Sequence, residues 1–85
     1  MVKQLNLAHN RLKSDVFTLF TYFPALEVLD LSSNLVTDVP HDIARVLGNI
    51  GELNLSGNSL NPMNLTNLGL LETMKKLKLC FCKLV

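Results

Sequence analysis

The stretch Leu26-Glu-Val-Leu-Asp-Leu-Ser-Ser-Asn-Leu-Val36 decides how the rest of the chain reads. Three others match it: Val2-Lys-Gln-Leu-Asn-Leu-Ala-His-Asn-Arg-Leu12, Ile50-Gly-Glu-Leu-Asn-Leu-Ser-Gly-Asn-Ser-Leu60 and Met74-Lys-Lys-Leu-Lys-Leu-Cys-Phe-Cys-Lys-Leu84. Each is L-x-x-L-x-L-x-x-N/C-x-L with apolar swaps, and they begin at residues 2, 26, 50 and 74. A fixed 24-residue spacing without insertion divides residues 1–85 into one array: repeats 2–25, 26–49, 50–73 and a partial 74–85. A constant period in this range is the signature of stacked repeats, none of which can bury its apolar face alone.

The L-x-L centre of each repeat reads as a short strand whose alternate residues point inward. Leu5 and Leu7, Leu29 and Leu31, Leu53 and Leu55, and Leu77 and Leu79 are therefore expected to stack into one continuous core. Asn10, Asn34 and Asn58 follow the strands, where a carboxamide can satisfy backbone groups orphaned by an inward turn, and Cys82 takes the fourth such place. The second halves read as loops and short helices. Ser14-Asp15 is a helix start before Val16, Phe17, Phe20 and Phe23, Pro40 precedes an Ile43–Leu47 turn closed by Gly48, and Asn61-Pro62 with Asn64 opens a third.

Composition excludes other classes. Eighty-five residues allow one small domain, and 48% hydrophobic content with a net charge of +1 does not describe a disordered chain. Near-neutrality is equally unlike a nucleic-acid module, whose affinity comes from neutralising many phosphates. No charged-then-apolar leader opens the chain, and no apolar run approaches the roughly 18 residues of a membrane span.

Over nearly its whole length the sequence resembles the leucine-rich repeat family, on the four matches quoted above. The 24-residue period resembles the "typical" subclass found in Toll-like receptors, matrix proteoglycans and extracellular adhesion proteins. The resemblance implies an α/β solenoid of about 3.5 repeats, with a concave parallel β-sheet and loops and short helices on the convex side. It also implies apolar second-half positions, filled here by Phe20 and Phe23, Ala44 and Leu47, and Leu68 and Leu71. Val39-Pro40 matches the subclass's Leu-Pro step and Met63 the equivalent site, whereas Asp15 departs from it.

In such a solenoid the residues free to act are those pointing out of the concave sheet. Equivalent positions form columns: Lys3, Glu27, Gly51, Lys75; Gln4, Val28, Glu52, Lys76; Asn6, Asp30, Asn54, Lys78; and, past the strand, Ala8, Ser32, Ser56, Cys80 and His9, Ser33, Gly57, Phe81. The acidic centre (Glu27, Asp30, Glu52) flanked by lysines suits a charge-patterned surface that steers and registers a protein partner. Asp30, Glu27, Glu52, Asn54, Lys76, Lys78 and Phe81 are the expected contact residues. Lys3 beside Glu27 and Glu52 beside Lys76 also read as exposed in-sheet pairs of little energetic weight.

The remaining features carry less. Lys75, Lys76, Lys78 and Lys83 could meet an anionic lipid surface, but a solvated face is the simpler reading. Cys80 and Cys82 are expected to diverge across the strand, which argues against a metal pair or a disulfide cap. Of two Asn-x-Ser/Thr tripeptides, Asn64 on a connecting loop is the expected glycan acceptor, and Asn54 lies on the concave strand. A buried Cys82 thiol and an exposed Cys80 thiol suit a reducing compartment and sequons a secreted chain, so the compartment stays open. No phosphate loop, nucleophile motif or enclosed carboxylate pair is present, so neither catalysis nor a cofactor is expected. The reading is a non-catalytic protein-interaction module. Its alternative is a structural fragment of a larger leucine-rich repeat receptor or scaffold without autonomous binding. The ends of the array carry no polar cap, so marginal stability or self-association through those ends is expected.

Overall fold

The computed structural model describes residues 2–61, 63 and 65–79. Every L-x-L centre forms a three-residue strand: β1 (Gln4–Asn6), β2 (Val28–Asp30), β3 (Glu52–Asn54) and β4 (Lys76–Lys78). They make one parallel sheet in the order β1-β2-β3-β4. Each register pair is one period apart, so Leu5, Leu29, Leu53 and Leu77 lie in a single row. Parallel neighbours need a crossover of a dozen or more residues, and the second half of each repeat supplies it. The architecture is the expected α/β repeat solenoid.

The three crossovers are helical in two different ways. The first is a 3-10 helix over Ser14–Tyr22 that buries Val16, Phe17 and Phe20. Phe17 and Phe20 meet edge to face, with centroids 6.0 Å apart and planes at 81°. Such long 3-10 runs are uncommon. Here Thr18 Oγ1 donates to Asp15 O and Thr21 Oγ1 to Thr18 O, partnering carbonyls of the tight turn. The second and third crossovers carry one-turn helices, α1 (Ile43–Val46) and α2 (Leu65–Leu68). Ser14 does not cap the first helix as its position suggests. Its Oγ instead accepts the backbone N–H groups of Thr37 and Asp38, each at 3.0 Å, and so ties two repeats together.

The core is graded along the axis rather than uniform. Leu29, Leu31, Leu53 and Leu55 are wholly buried, Leu5 and Leu7 are half-buried, and Leu77 is 36% exposed. An inner leucine has a repeat packed on each side, whereas an outer one has a neighbour on one side only. Two second-half expectations are corrected. Ala44 is exposed and Ile43 takes the buried place beside Leu47, because the helix at Ile43 turns residue 44 outward. Met63 is 82% exposed, whereas Val39 at the equivalent position is buried.

The asparagines act across repeats. Asn34 Nδ2 donates to Leu31 O and Ser32 O of its own repeat and to Leu7 O of the one before. Asn58 repeats this with Leu55, Ser56 and Leu31. Both are buried, and no buried side-chain nitrogen or oxygen among the described residues lacks a partner. Asn10 is exposed, and its side chain donates only within its own repeat, to Leu7 O and Ala8 O. Cys82, the expected fourth member, lies outside the described residues.

Candidate functional site

Strand pairing sets the outward columns. Gln4, Val28, Glu52 and Lys76 are consecutive partners across the sheet, and so are Asn6, Asp30, Asn54 and Lys78. The backbone continues the ladder ahead of the strands, through Glu27 N–H on Lys3 O, Gly51 N–H on Glu27 O and Lys75 N–H on Gly51 O. Neighbouring strands are about 4.8 Å apart, so charge along the axis runs from Lys3, through Glu27, Asp30 and Glu52, to Lys75, Lys76 and Lys78.

Six of the seven expected contact residues come together on this face. Glu27, Lys76 and Lys78 are exposed, and Asp30, Glu52 and Asn54 are half-buried. Asp30, Glu52, Asn54 and Lys78 line a shallow depression of about 370 Å³ with Gln4 and Val28. Phe81 lies outside the described residues, as do Asn64, Cys80 and Lys83. Among the described residues no ion pair joins Lys3 to Glu27 or Glu52 to Lys76, and no three metal-binding side chains converge. No helix among them is long and apolar enough to cross a membrane.

The third column has a structural duty that the sequence pattern hid. Asn6 Oδ1 accepts the N–H of Ala8, Asp30 Oδ1 that of Ser32 and Asn54 Oδ1 that of Ser56, at 2.9–3.0 Å. A short side chain with an acceptor oxygen closes the turn that ends each strand. The signal was visible as Asn, Asp, Asn at one repeat position. Lys78 breaks the series, having no acceptor to offer. Asp30 thus spends one carboxylate oxygen on the turn.

The last column is also a turn rather than a flat part of the face. His9, Ser33 and Gly57 have φ of 61°, 54° and 74°, in the left-handed region. Sequence reasoning likewise missed a second, wider groove of about 610 Å³ beside the strand starts. Its floor is open because Gly51 carries no side chain, and Glu27, Glu52, Lys75 and Lys76 border it.

A parallel sheet with this cross-repeat asparagine ladder defines a repeat solenoid. The Leucine rich repeat family model matches residues 2–60, and the chain belongs to that family. Human Toll-like receptor 4 is 43% identical over 82 residues, covering 92% of this chain and 10% of the receptor. Adenylate cyclase of Schizosaccharomyces pombe is 37% identical over 75 residues, covering 86% of this chain and 4% of the cyclase. Leucine-rich repeat serine/threonine-protein kinase 1 of Caenorhabditis elegans is 38% identical over 86 residues, covering 98% of this chain and 4% of the kinase. The chain thus spans a tenth or less of the length of these relatives. No solved structure matches it.

Proposed function

We propose that the chain is a non-catalytic protein-interaction module that binds a protein partner through its concave sheet. The observation that carries this reading is the uncommitted charge on one face. Glu27 and Glu52 stand beside lysines without closing ion pairs, and the depression between the strands is open to a ligand. The carboxylates have no enclosed pocket that would exclude water, so recognition suits them better than proton transfer. Two of the relatives bear enzyme names, yet the chain corresponds to only 4% of either.

The alternative, a structural piece of a larger protein without binding of its own, draws support from that small share of the relatives' length. A peptide library displayed on phage and selected against the folded chain separates the two. Binders that lose hold of an Asp30→Asn, Lys78→Gln double variant support the concave face. Binders that retain the double variant equally well reject it, and a selection without enrichment favours the structural reading. Self-association is a second mode of contact, favoured by the 41% exposed Val2 and 36% exposed Leu77 at opposite ends of the sheet.

A further inference from the structure

The charges on the concave sheet stand at intervals set by the strand spacing, and a bound segment must match those intervals. Moving along the axis, Glu27 stands just ahead of β2, β3 presents Glu52 and β4 presents its register partner Lys76, while Asp30 and Lys78 lie one column further along the strands. The steps between strands are each about 4.8 Å, so Glu27, Glu52 and Lys76 stand at about 0, 4.8 and 9.6 Å along the axis, with Glu27 staggered by one residue, about 3.3 Å, along the strand. A complementary partner must offer base, base and acid at the same intervals.

An extended peptide crossing the strands fits this poorly. Side chains on one of its faces recur every second residue, at about 6.7 Å, and fall nearly 4 Å out of step by the third charge. An α-helix lying across the strands fits better. Residues i and i+3 or i+4 are about 4.5–6 Å apart along its axis, and i and i+7 about 10.5 Å. The worst mismatch is about 1 Å, which flexible Lys, Arg and Glu side chains absorb. The depression under the helix is shallow and floored by Val28, with Asn54 and Gln4 at hand for polar contacts.

We infer that the partner presents an α-helix across the sheet, with basic residues at i and i+3 or i+4 over β2 and β3 and an acidic residue at i+7 over β4. This rests on the concave-face reading above and deepens it. The charges are exposed or half-buried, so they set orientation and encounter rate more than affinity, and binding is expected to weaken with ionic strength.

The probes are synthetic peptides of about 12 residues, side-chain-stapled as helices, long enough to cover the four strands. One carries Lys, Lys and Glu at i, i+4 and i+7, a second the same charges in reversed chain order, and a third Glu, Glu and Lys. A fourth has the composition of the first but contains prolines that keep it extended. Fluorescence anisotropy with the full 85-residue chain at low salt reads the affinities. One of the first two peptides is expected to bind at least about tenfold more tightly than the third and fourth, because juxtaposed like charges oppose binding. The preference is expected to collapse with Glu52→Gln and Lys76→Gln, while circular dichroism shows those variants folded. Equal affinity of the extended isomer or of the charge-exchanged helix overturns the inference. If library binders still depend on Asp30 and Lys78 but lack the helical spacing, the helix is rejected and the concave face stands. If they ignore both residues, the concave face itself is lost.

Discussion

Asn34 Oδ1 accepts the backbone N–H of Asn10 at 3.0 Å, one full repeat away. The same oxygen takes the N–H of Leu12 at 2.9 Å, while the amide nitrogen reaches Leu7 O. One buried carboxamide thus stitches two turns of the solenoid together. Asn34→Ala leaves several backbone groups without partners, each worth about 1–3 kcal/mol when buried, so a loss of about 3 kcal/mol or more is expected. Asn10→Ala removes only exposed bonds within one repeat and is expected to cost under about 1 kcal/mol. Urea melts of the two variants check the difference; equal losses would contradict the cross-repeat role.

Asp30 permits a cleaner separation of binding from stability. Asn6 and Asn54 close the same turn with a carboxamide oxygen, so Asp30→Asn keeps the bond to Ser32 N–H and removes only the charge. Its stability is expected to stay within about 0.5 kcal/mol of the parent. Asp30→Ala loses the bond as well, and about 1 kcal/mol with it. Thermal melts of both variants check the turn, and only the charge-dependent part of binding is expected to fall in Asp30→Asn.

The sheet was legible in the sequence because every repeat states it in the same words. One register fixes Leu5, Leu29, Leu53 and Leu77 as a row, and β1 to β4 follow without adjustment. The second halves were less legible, since their lengths agree but their apolar residues do not. Ile43 rather than Ala44 turns inward because a one-turn helix offers two neighbouring positions, and the larger side chain gains more from burial. The outward columns were legible as positions but not as duties. That Asp30 would spend an oxygen on Ser32 N–H depends on where the turn places that donor. The left-handed backbone at His9 and Ser33 was not legible because glycine, its usual marker, occupies only position 57 of that column.

Gly57 is expected to resist replacement more than its φ alone suggests. Ser33 and His9 tolerate the same left-handed region with full side chains. A Cβ on Gly57, however, would stand 3.0 Å from Ser33 Oγ and 3.2 Å from Ser33 Cα and N. The hydroxyl can swing aside, but the backbone cannot without moving β2 relative to β3. Gly57→Ala is therefore expected to destabilise the chain by about 1–3 kcal/mol, the sum of the left-handed penalty and the crowding. The Gly57→Ala, Ser33→Ala double variant removes Ser33 Oγ but leaves the backbone contact and is expected to recover only part of the loss. Full recovery in denaturant titration would locate the conflict in the hydroxyl alone.

The graded core predicts how the 85-residue chain behaves on its own. Leu53 is wholly buried between two repeats, so Leu53→Ala is expected to cost about 2–5 kcal/mol. Leu77, 36% exposed on β4, has less to lose, and Leu77→Ala is expected to cost about 1 kcal/mol. The surface that Leu77 leaves open is matched by Val2 and the half-buried Leu5 at the β1 end. Among the described residues β1 pairs only with β2 and β4 only with β3. Stacking the β4 end of one copy on the β1 end of another would continue the same register, a head-to-tail contact that does not close on itself. The chain is expected to sediment with a concentration-dependent mass and to melt below roughly 60 °C when dilute. Leu77→Lys is expected to shift it toward monomer without unfolding it, because a charged side chain at an exposed edge blocks pairing. Sedimentation velocity across a hundredfold dilution series is the check, and a parent chain that stays monomeric throughout refutes the end-to-end contact.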